Sequence, residues 1–578
     1  MCGVLYAKLK NNIYKDFNII FQNALDQMKY RGPDSEGVMI YNNNYFGHVR
    51  LSIIDLSTES NQPLTNEKGI LIFNGEIYNF KDFDSNAKSD TQILLTYLNS
   101  FYKENNRLQG MYAIIYYNKL TDETIIIRDQ FGEKPLYQYE DENIFIVSST
   151  LKSIIYILKN YGITFEIEKK AINDYFLFGY VREPLTIYKN IFSIPSGSKT
   201  IYNFKNEKIS LNFRPEEISH FTYLKDSFLA TDVPCNLLLS SGIDSTYLLG
   251  NIVQNDLESN VYIYKSENIN EDESLGAINN FNTILQSSKN KRLKYDIIEN
   301  EKDDIELYQI LLQLIEQPTS HGTQIVNILD GIKQKDNTAK LIISGLGGDE
   351  IYGGYNSFKY LNYYKYLKEI PLKWLKFFNK LNRFINYKLG QKKYWVLEYY
   401  YKYRIDLNCI ELIIDESMED NFQRFFDGLD FDNFENKSYV VQLKNCEIQD
   451  YMKNQLLRDM DNISMFYGME ARSPILCNYN YLGEVTDRKN FKKFIYENFN
   501  IKFGKKSQGF TKGENQDKLL NYFRNEIIRL NGIYNVVNSK LIFKLSDLEF
   551  VKVKKIYILL AWLDVNNISN SQLKFEVN

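Results

Sequence analysis

The chain has 578 residues and a formal net charge of −4, from 69 basic and 73 acidic side chains. That length leaves room for several domains with large cores. Nothing in the charge balance suggests a nucleic-acid footprint, and there is no basic stripe interleaved with aromatics, so no nucleic acid is expected as a partner. Five cysteines (Cys2, Cys235, Cys409, Cys446 and Cys477) stand far apart without a C-x-x-C pair. They indicate neither a zinc site nor a disulfide framework, and they fit a reducing cytoplasm. The N-terminus lacks the basic start and long apolar core of a signal peptide. The longest apolar stretch near the end, Ile556 to Leu563, is much shorter than the roughly 20 residues a membrane span needs, so no membrane is expected as a partner.

Up to about residue 205, short β-rich runs alternate with Gly, Asn and Asp turns. The pattern predicts strands at Val38–Tyr41, Ile70–Phe73, Thr124–Ile127, Asn143–Val147 and Lys199–Tyr202, and helices at Phe17–Lys29 and Asp90–Tyr102. This is an α+β pattern with much antiparallel sheet. From about residue 206 the pattern changes. Apolar strands at Asn236–Leu239, Val261–Tyr264, Leu293–Ile298 and Lys340–Ile343 alternate with helical stretches. Near-continuous apolar strands between helices predict a parallel sheet covered on both faces. Beyond about 355 the chain reads as mostly helical.

Three constellations carry chemistry. The first begins at Cys2. If Met1 is removed, nucleophile and α-amine share one residue, and an α-amine, which ordinarily titrates near pH ~8, can take a proton from a thiol. With only His48, His220 and His321 in the whole chain, a Cys-His dyad is not favoured. After Cys2 come Arg31-Gly32-Pro33-Asp34, Arg50-Leu51-Ser52-Ile53, Asn61-Gln62-Pro63-Leu64, Asn74-Gly75-Glu76-Ile77-Tyr78-Asn79, Ser89-Asp90-Thr91 and Arg128-Asp129 before Gly132. In order and spacing these resemble the glutaminase domain of class II glutamine amidotransferases, specifically the asparagine synthetase type. The resemblance implies Cys2 as nucleophile, with Asn74 and the Gly75 amide as oxyanion hole. It implies Arg50 for the α-carboxylate of glutamine, flanked by Leu51, Ser52, Ile53 and Ile54, and Glu76 and Asp90 for the α-ammonium. The residue types suit the task, since an amide needs a thiolate and two neutral donors, and a planar guanidinium matches a carboxylate.

The second constellation is Leu239-Ser240-Ser241-Gly242-Ile243-Asp244-Ser245, a strand running into a Ser/Gly loop and a helix. Backbone amides of such a loop make an anion nest, and an Asp within it can hold Mg²⁺ against phosphate. The third is Ser344-Gly345-Leu346-Gly347-Gly348-Asp349-Glu350, again at the end of an apolar strand. The two resemble the pyrophosphate loop of ATP pyrophosphatases and the second active-site motif of asparagine synthetases. The resemblance implies ATP bound by Leu239, Ser240, Gly242, Asp244, Ser245, Tyr264, Ser344 and Gly345, with Mg²⁺ shared by Asp244 and Asp349. It continues through Asp461-Asn462-Ile463-Ser464-Met465, Glu470-Ala471-Arg472-Ser473-Pro474, Gln508-Gly509-Phe510 and the apolar Trp562 helix.

The chain departs from that pattern at four places. Ser241 stands where the loop usually has Gly. Leu346 replaces an acidic residue that acts near the acceptor, and Glu350 is the nearest charge in sequence after Asp349. Ser507 stands where a Lys stabilises the activated intermediate, with Lys505 and Lys506 close by. Cys477 replaces an Asp.

The fold implied is an α+β N-terminal-nucleophile (αββα sandwich) glutaminase domain, residues 1–205. It is followed by an α/β parallel-sheet ATP-pyrophosphatase domain, residues 206–578, with a helical C-terminal part. The function implied is a glutamine-dependent ligase using ATP and Mg²⁺. Its acceptor carboxylate is L-aspartate by default, giving asparagine, AMP and pyrophosphate. Another carboxylate, such as a sugar uronate or a peptide acid, is the alternative. A glutaminase fused to a non-synthetic nucleotide-binding pseudo-enzyme is the alternative of another class. Cytoplasmic location is expected, and a homodimer stays open.

Overall fold

A computed structural model describes residues 2–11, 16–101, 107–204, 209–212, 227–266, 272–286, 293–299, 302–367, 395–429, 437–476, 487–501, 503, 515–575 and 577. In chain order its first twelve strands are β1 (Cys2–Leu9), β2 (Ser35–Tyr41), β3 (Asn44–Arg50), β4 (Leu64–Thr65), β5 (Gly69–Ile77), β6 (Gly110–Asn118), β7 (Glu123–Arg128), β8 (Tyr137–Glu140), β9 (Ile144–Ser148), β10 (Ile191–Ser193), β11 (Ser198–Tyr202) and β12 (Ile209–Asn212). They form two six-stranded sheets, ordered β10-β8-β9-β1-β3-β2 and β12-β11-β7-β6-β5-β4. Every pairing within them is antiparallel.

The two-residue period of a strand explains the layering. Along β1, Val4 and Tyr6 join a core between the sheets with Phe46, Ile70, Ile72, Ile115 and Val147. Leu5, Ala7 and Leu9 face the other way, onto Phe21 and Leu25 of helix Phe17–Asp26 and Ile154 and Leu158 of helix Leu151–Asn160. Along β5, Leu71 and Phe73 pack outward on Leu94, Leu95 and Leu98 of helix Asp90–Phe101. Helix, sheet, sheet, helix is the expected αββα sandwich. Strands covered on both faces show no polar alternation. β3, β5 and β9, each buried along its whole length, are of this kind.

Five further strands follow: β13 (Cys235–Leu238), β14 (Ser259–Tyr264), β15 (Lys294–Ile298), β16 (Leu341–Ile343) and β17 (Glu470–Arg472). They form one sheet ordered β15-β14-β13-β16-β17, parallel throughout. β15 carries Lys294 and Asp296 because it is an edge strand with a single neighbour. β17 departs from the helical expectation for the last third of the chain. Its three residues are too short to show a period. The order places a topological switch between β13 and β16, and in open α/β sheets ligands sit there, beyond the carboxyl ends of the strands. The two Gly/Ser loops follow those two strands.

The C-terminal part is helical, including Asn515–Tyr534 and Phe550–Val565. Trp562 is fully buried, its ring 5.8 Å from that of Tyr188. No helix among the described residues is long and apolar enough to cross a membrane.

Candidate active site

Cys2 opens β1 at the end where the core between the sheets runs out, and Asn74 follows Ile72 on the same face of β5. The two meet: the Cys2 backbone nitrogen donates to Asn74 Oδ1 at 3.0 Å. With Met1 removed that nitrogen is the α-amine. Asn74 Nδ2 is buried and makes no hydrogen bond, an arrangement that leaves a donor aimed at whatever binds beside the thiol. Gly75 has φ +130°, and a Cβ there would lie 2.0 Å from the Met111 carbonyl oxygen, so the backbone amide can be presented only by glycine. Burial pushes the Cys2 thiol up to about 11, against the downward pull of the chain's amino terminus, the Leu51 amide and Arg50. His48 sits across from Val4, not Cys2. Burial lowers its pKa to about 3, and Nε2 faces the Phe73 carbonyl at 3.2 Å.

Arg50 stands directly opposite Cys2 in the β1–β3 register. Its Nη1 donates to Ser57 O and Asn61 Oδ1, both at 2.7 Å, and its Nη2 to the carbonyls of Ile54 and Asp55. Both terminal nitrogens are thus used on the 54–61 loop. All four acceptors are neutral, so the charge is held at the site without being cancelled, and Nε–H is what the fork leaves for a substrate. The Ser52 amide donates to Asp34 at 2.7 Å. The side chains of Leu51 and Ile53 turn away to pack on Met465, and Ile54 packs into the core beneath helix Asp90–Phe101.

Asp90 accepts from the Ile77 amide at 3.1 Å. Burial raises its pKa to about 6, against the Ile77 and Thr91 hydrogen bonds. Glu76 is raised as well, by burial and then by Glu470 and Asp90. An ammonium placed against this pair would relieve both the burial and the repulsion. Ammonium binding needs the carboxylate form, so kcat/KM for glutamine is expected to fall by up to about tenfold per pH unit below pH ~6. A pH profile of glutamine hydrolysis checks this, with Asp90→Asn expected to lose Asp90's share of that limb and to keep the share set by Glu76, whose ionisation is also held up by burial.

At the switch point, Leu239 follows directly on β13, its amide donating to the Tyr262 carbonyl at 2.9 Å. In the loop that follows, the Ser240 and Gly242 amides donate to Ser245 Oγ and Ser240 Oγ, each at 3.1 Å, and Gly242 caps helix Ile243–Gln254. Ser241 is accommodated: its hydroxyl donates to Glu273 at 2.8 Å, and its Cβ packs on Gly276, where any side chain would come within 2.8 Å. Tyr264 ends β14, and its hydroxyl accepts from Asn327 Nδ2 at 2.6 Å. The Ser344 amide donates to the Arg472 carbonyl at 2.9 Å, and Ser344 Oγ accepts from the Leu346 amide at 3.3 Å. The second loop closes on the first: a Cβ at Gly345 would lie 3.1 Å from that of Asp244, and one at Gly348 only 2.1 Å from Asp244 Oδ1.

Asp244 and Asp349 do face one place. Arg488 donates from Nη1 and Nη2 to the two oxygens of Asp244 at 2.6 and 2.8 Å, and Nη2 lies 2.9 Å from Asp349 Oδ1. Two carboxylates converging on one cation beyond the strand ends fit Mg²⁺, which typically takes one or two carboxylates and fills its shell with phosphate and water. Among the described residues no cluster of three or more His, Cys, Asp or Glu could hold a metal by itself. Cys477, Lys505, Lys506, Ser507 and Gln508-Gly509-Phe510 lie outside the described residues.

Sequence reasoning missed the junction between the halves. Arg31 Nη2 pairs with Asp461 at 2.8 Å with both side chains buried, while Arg31 Nε donates to the Cys2 carbonyl at 3.2 Å. Asp34 pairs with Lys340 at 2.7 Å. Arg472, buried with Glu470 at 2.6 Å, has its guanidinium carbon 5.2 Å from the centre of the Tyr78 ring. The Arg-Gly-Pro-Asp and Asn-Gly-Glu-Ile-Tyr-Asn segments therefore hold the second half of the chain against the first. The available signal was charge inside the quoted 461–465 and 470–474 segments.

Comparison with known proteins agrees with this architecture. Residues 1–213 match the family description of a glutamine amidotransferase domain, and residues 226–478 that of asparagine synthase. A putative asparagine synthetase [glutamine-hydrolyzing] 2 of Methanocaldococcus jannaschii is 27% identical over 447 residues, covering 68% of this chain and 81% of that protein. Asparagine synthetase [glutamine-hydrolyzing] 1 of Bacillus subtilis is 33% identical over 281 residues, 43% of each chain. The solved glutamine phosphoribosylpyrophosphate amidotransferase of B. subtilis overlaps at TM-score 0.26 and 16% identity, covering 60% of this chain and 81% of that one, too slight a likeness to carry an argument. With both halves matched in order along one chain, this protein belongs to the glutamine-hydrolysing asparagine synthetase family of ligases.

Proposed function

We propose that residues 1–205 hydrolyse glutamine at Cys2 and that residues 206–578 use the ammonia to amidate a carboxylate activated by ATP with Mg²⁺. The observation that carries the reading is the pairing of two prepared sites in one chain. The unbonded Asn74 Nδ2 lies beside the nucleophile, and Asp244 and Asp349 converge at the switch point. In the first site, Asn74 Nδ2 and the Gly75 amide receive the oxyanion, the Cys2 amine takes the thiol proton, and Glu76 with Asp90 fixes the amino end. In the second, the 240–245 loop and the N-terminus of helix Ile243–Gln254 receive phosphate. ATP supplies the leaving group that lets ammonia displace a carboxylate oxygen, and Mg²⁺ supplies charge neutralisation. Leu51, Ile53 and Met465 form an apolar patch at the junction beside Cys2, a surface that does not protonate ammonia on its way between sites.

L-aspartate is the family's default acceptor. A second reading, a different carboxylate such as a uronate or a peptide acid, is favoured by Leu346, a half-buried apolar side chain in the loop that also carries Asp349. Glu350 is buried with a pKa raised to about 7, and it accepts from the Tyr355 hydroxyl. A general base is worth roughly 10² to 10⁴ in rate. The unmodified protein is therefore expected to make little or no asparagine from aspartate, glutamine and ATP, and Leu346→Glu to make clearly more. Robust asparagine synthesis by the unmodified protein would contradict the second reading and leave aspartate as acceptor.

A further inference from the structure

Arg488 is assigned no role by the motifs, yet its guanidinium sits where the two loop aspartates converge. Its position is not explained by its own helix. It is the first residue of helix Arg488–Phe499, whose N-cap Asp487 accepts from the Asn490 amide at 2.8 Å, and a positive side chain at a helix N-terminus is electrostatically unfavourable. The backbone beneath it is pinned. The Phe491 ring stacks on Tyr352 at 3.8 Å and meets Tyr247 edge-on at 5.2 Å. Tyr352 belongs to the short helix carrying Asp349, and Tyr247 to the helix carrying Asp244. The helix start is thereby fixed over both loops, and the long arginine side chain is the part left to move.

We infer that Arg488 is a built-in counter-ion that Mg²⁺ must displace from Asp244 and Asp349, making the site accept metal with nucleotide in preference to metal alone. This rests on the reading of the two aspartates as metal ligands. Without a cation between them the carboxylates repel, and the guanidinium holds them together, end-on and bidentate to Asp244. A free divalent ion has to expel that guanidinium and leaves it without an acceptor. A metal–nucleotide complex brings phosphate oxygens into the 240–245 loop alongside, and a planar guanidinium binds phosphate as well as it binds carboxylate. The exchange then keeps every charge matched.

The test is Mn²⁺ binding to the full chain, followed by electron paramagnetic resonance, alone and with a non-hydrolysable ATP analogue. Arg488→Gln is expected to bind Mn²⁺ alone at least about tenfold more tightly than the unmodified protein, within the range typical for groups around a metal's ligands, and to lose most of the gain that the analogue confers. Arg488→Lys, which keeps the charge, is expected to stay near the unmodified protein. Binding of Mn²⁺ alone by Arg488→Gln that is no tighter than by the unmodified protein overturns the inference while leaving the metal reading in place. An Asp244→Asn, Asp349→Asn double variant is expected to lose Mn²⁺ binding, and if it binds as the unmodified protein does, the metal reading and the inference fall together.

Discussion

Replacing Cys2 with alanine is expected to abolish glutamine hydrolysis, by roughly 10⁴-fold or more, the scale on which a catalytic nucleophile is missed. The reason is local. Asn74 Nδ2 and the Gly75 amide can stabilise an oxyanion, but without Cys2 Sγ there is nothing to form it. Alanine fills most of the space of the buried cysteine and leaves the β1 backbone, with its hydrogen bond to Asn74 Oδ1, in place. The synthetase half is therefore expected to keep working from added ammonium. Two assays check this: glutamate release from glutamine, and AMP formation driven by ammonium chloride at raised pH. Near-normal glutamate release by Cys2→Ala would remove Cys2 from its proposed role.

Asp244→Asn is expected to produce the opposite split. Pyrophosphate formation should fall by more than about 10²-fold, since metal charge stabilisation is worth several kcal/mol, while glutamine hydrolysis continues. Asparagine keeps the shape that Gly345 and Gly348 are packed against, so the change is one of charge. It removes half of the negative charge that Asp244 and Asp349 present together, and it leaves Arg488 paired with Asp349. A pyrophosphate assay with saturating Mg²⁺ and ATP, run beside glutamate release on the same preparation, reads both halves at once.

The neighbourhood of Cys2 was partly legible because its residues come in short, ordered segments. Cys2 does meet Asn74, the residue before Gly75, and Asp90 does lie by Glu76. The use of both terminal nitrogens of Arg50 on the 54–61 loop was not legible, because three of the four acceptors are backbone carbonyls, which leave no trace in side-chain identity. In the second half, apolar runs gave away four parallel strands, and the order in which they assemble explains why the 239–245 and 344–350 loops become neighbours. β17 was hidden by its brevity. Arg488 was hidden by distance: it lies far along the chain from both loops, and only the Tyr352–Phe491–Tyr247 packing brings it over them. The Arg31–Asp461 pair was hidden in the same way, each partner visible in its own segment and the contact between them visible only in the fold.

The most direct measurement of the central claim is a single incubation of the purified protein with amide-¹⁵N glutamine, ATP, Mg²⁺ and a panel of carboxylates that includes L-aspartate. Amide product, AMP and pyrophosphate are read together. At least one acceptor is expected to gain ¹⁵N in an amide, in step with AMP and pyrophosphate. Glutamate release with no AMP for any carboxylate, aspartate included, would contradict that claim and mark the second half as a nucleotide-binding module that makes no amide.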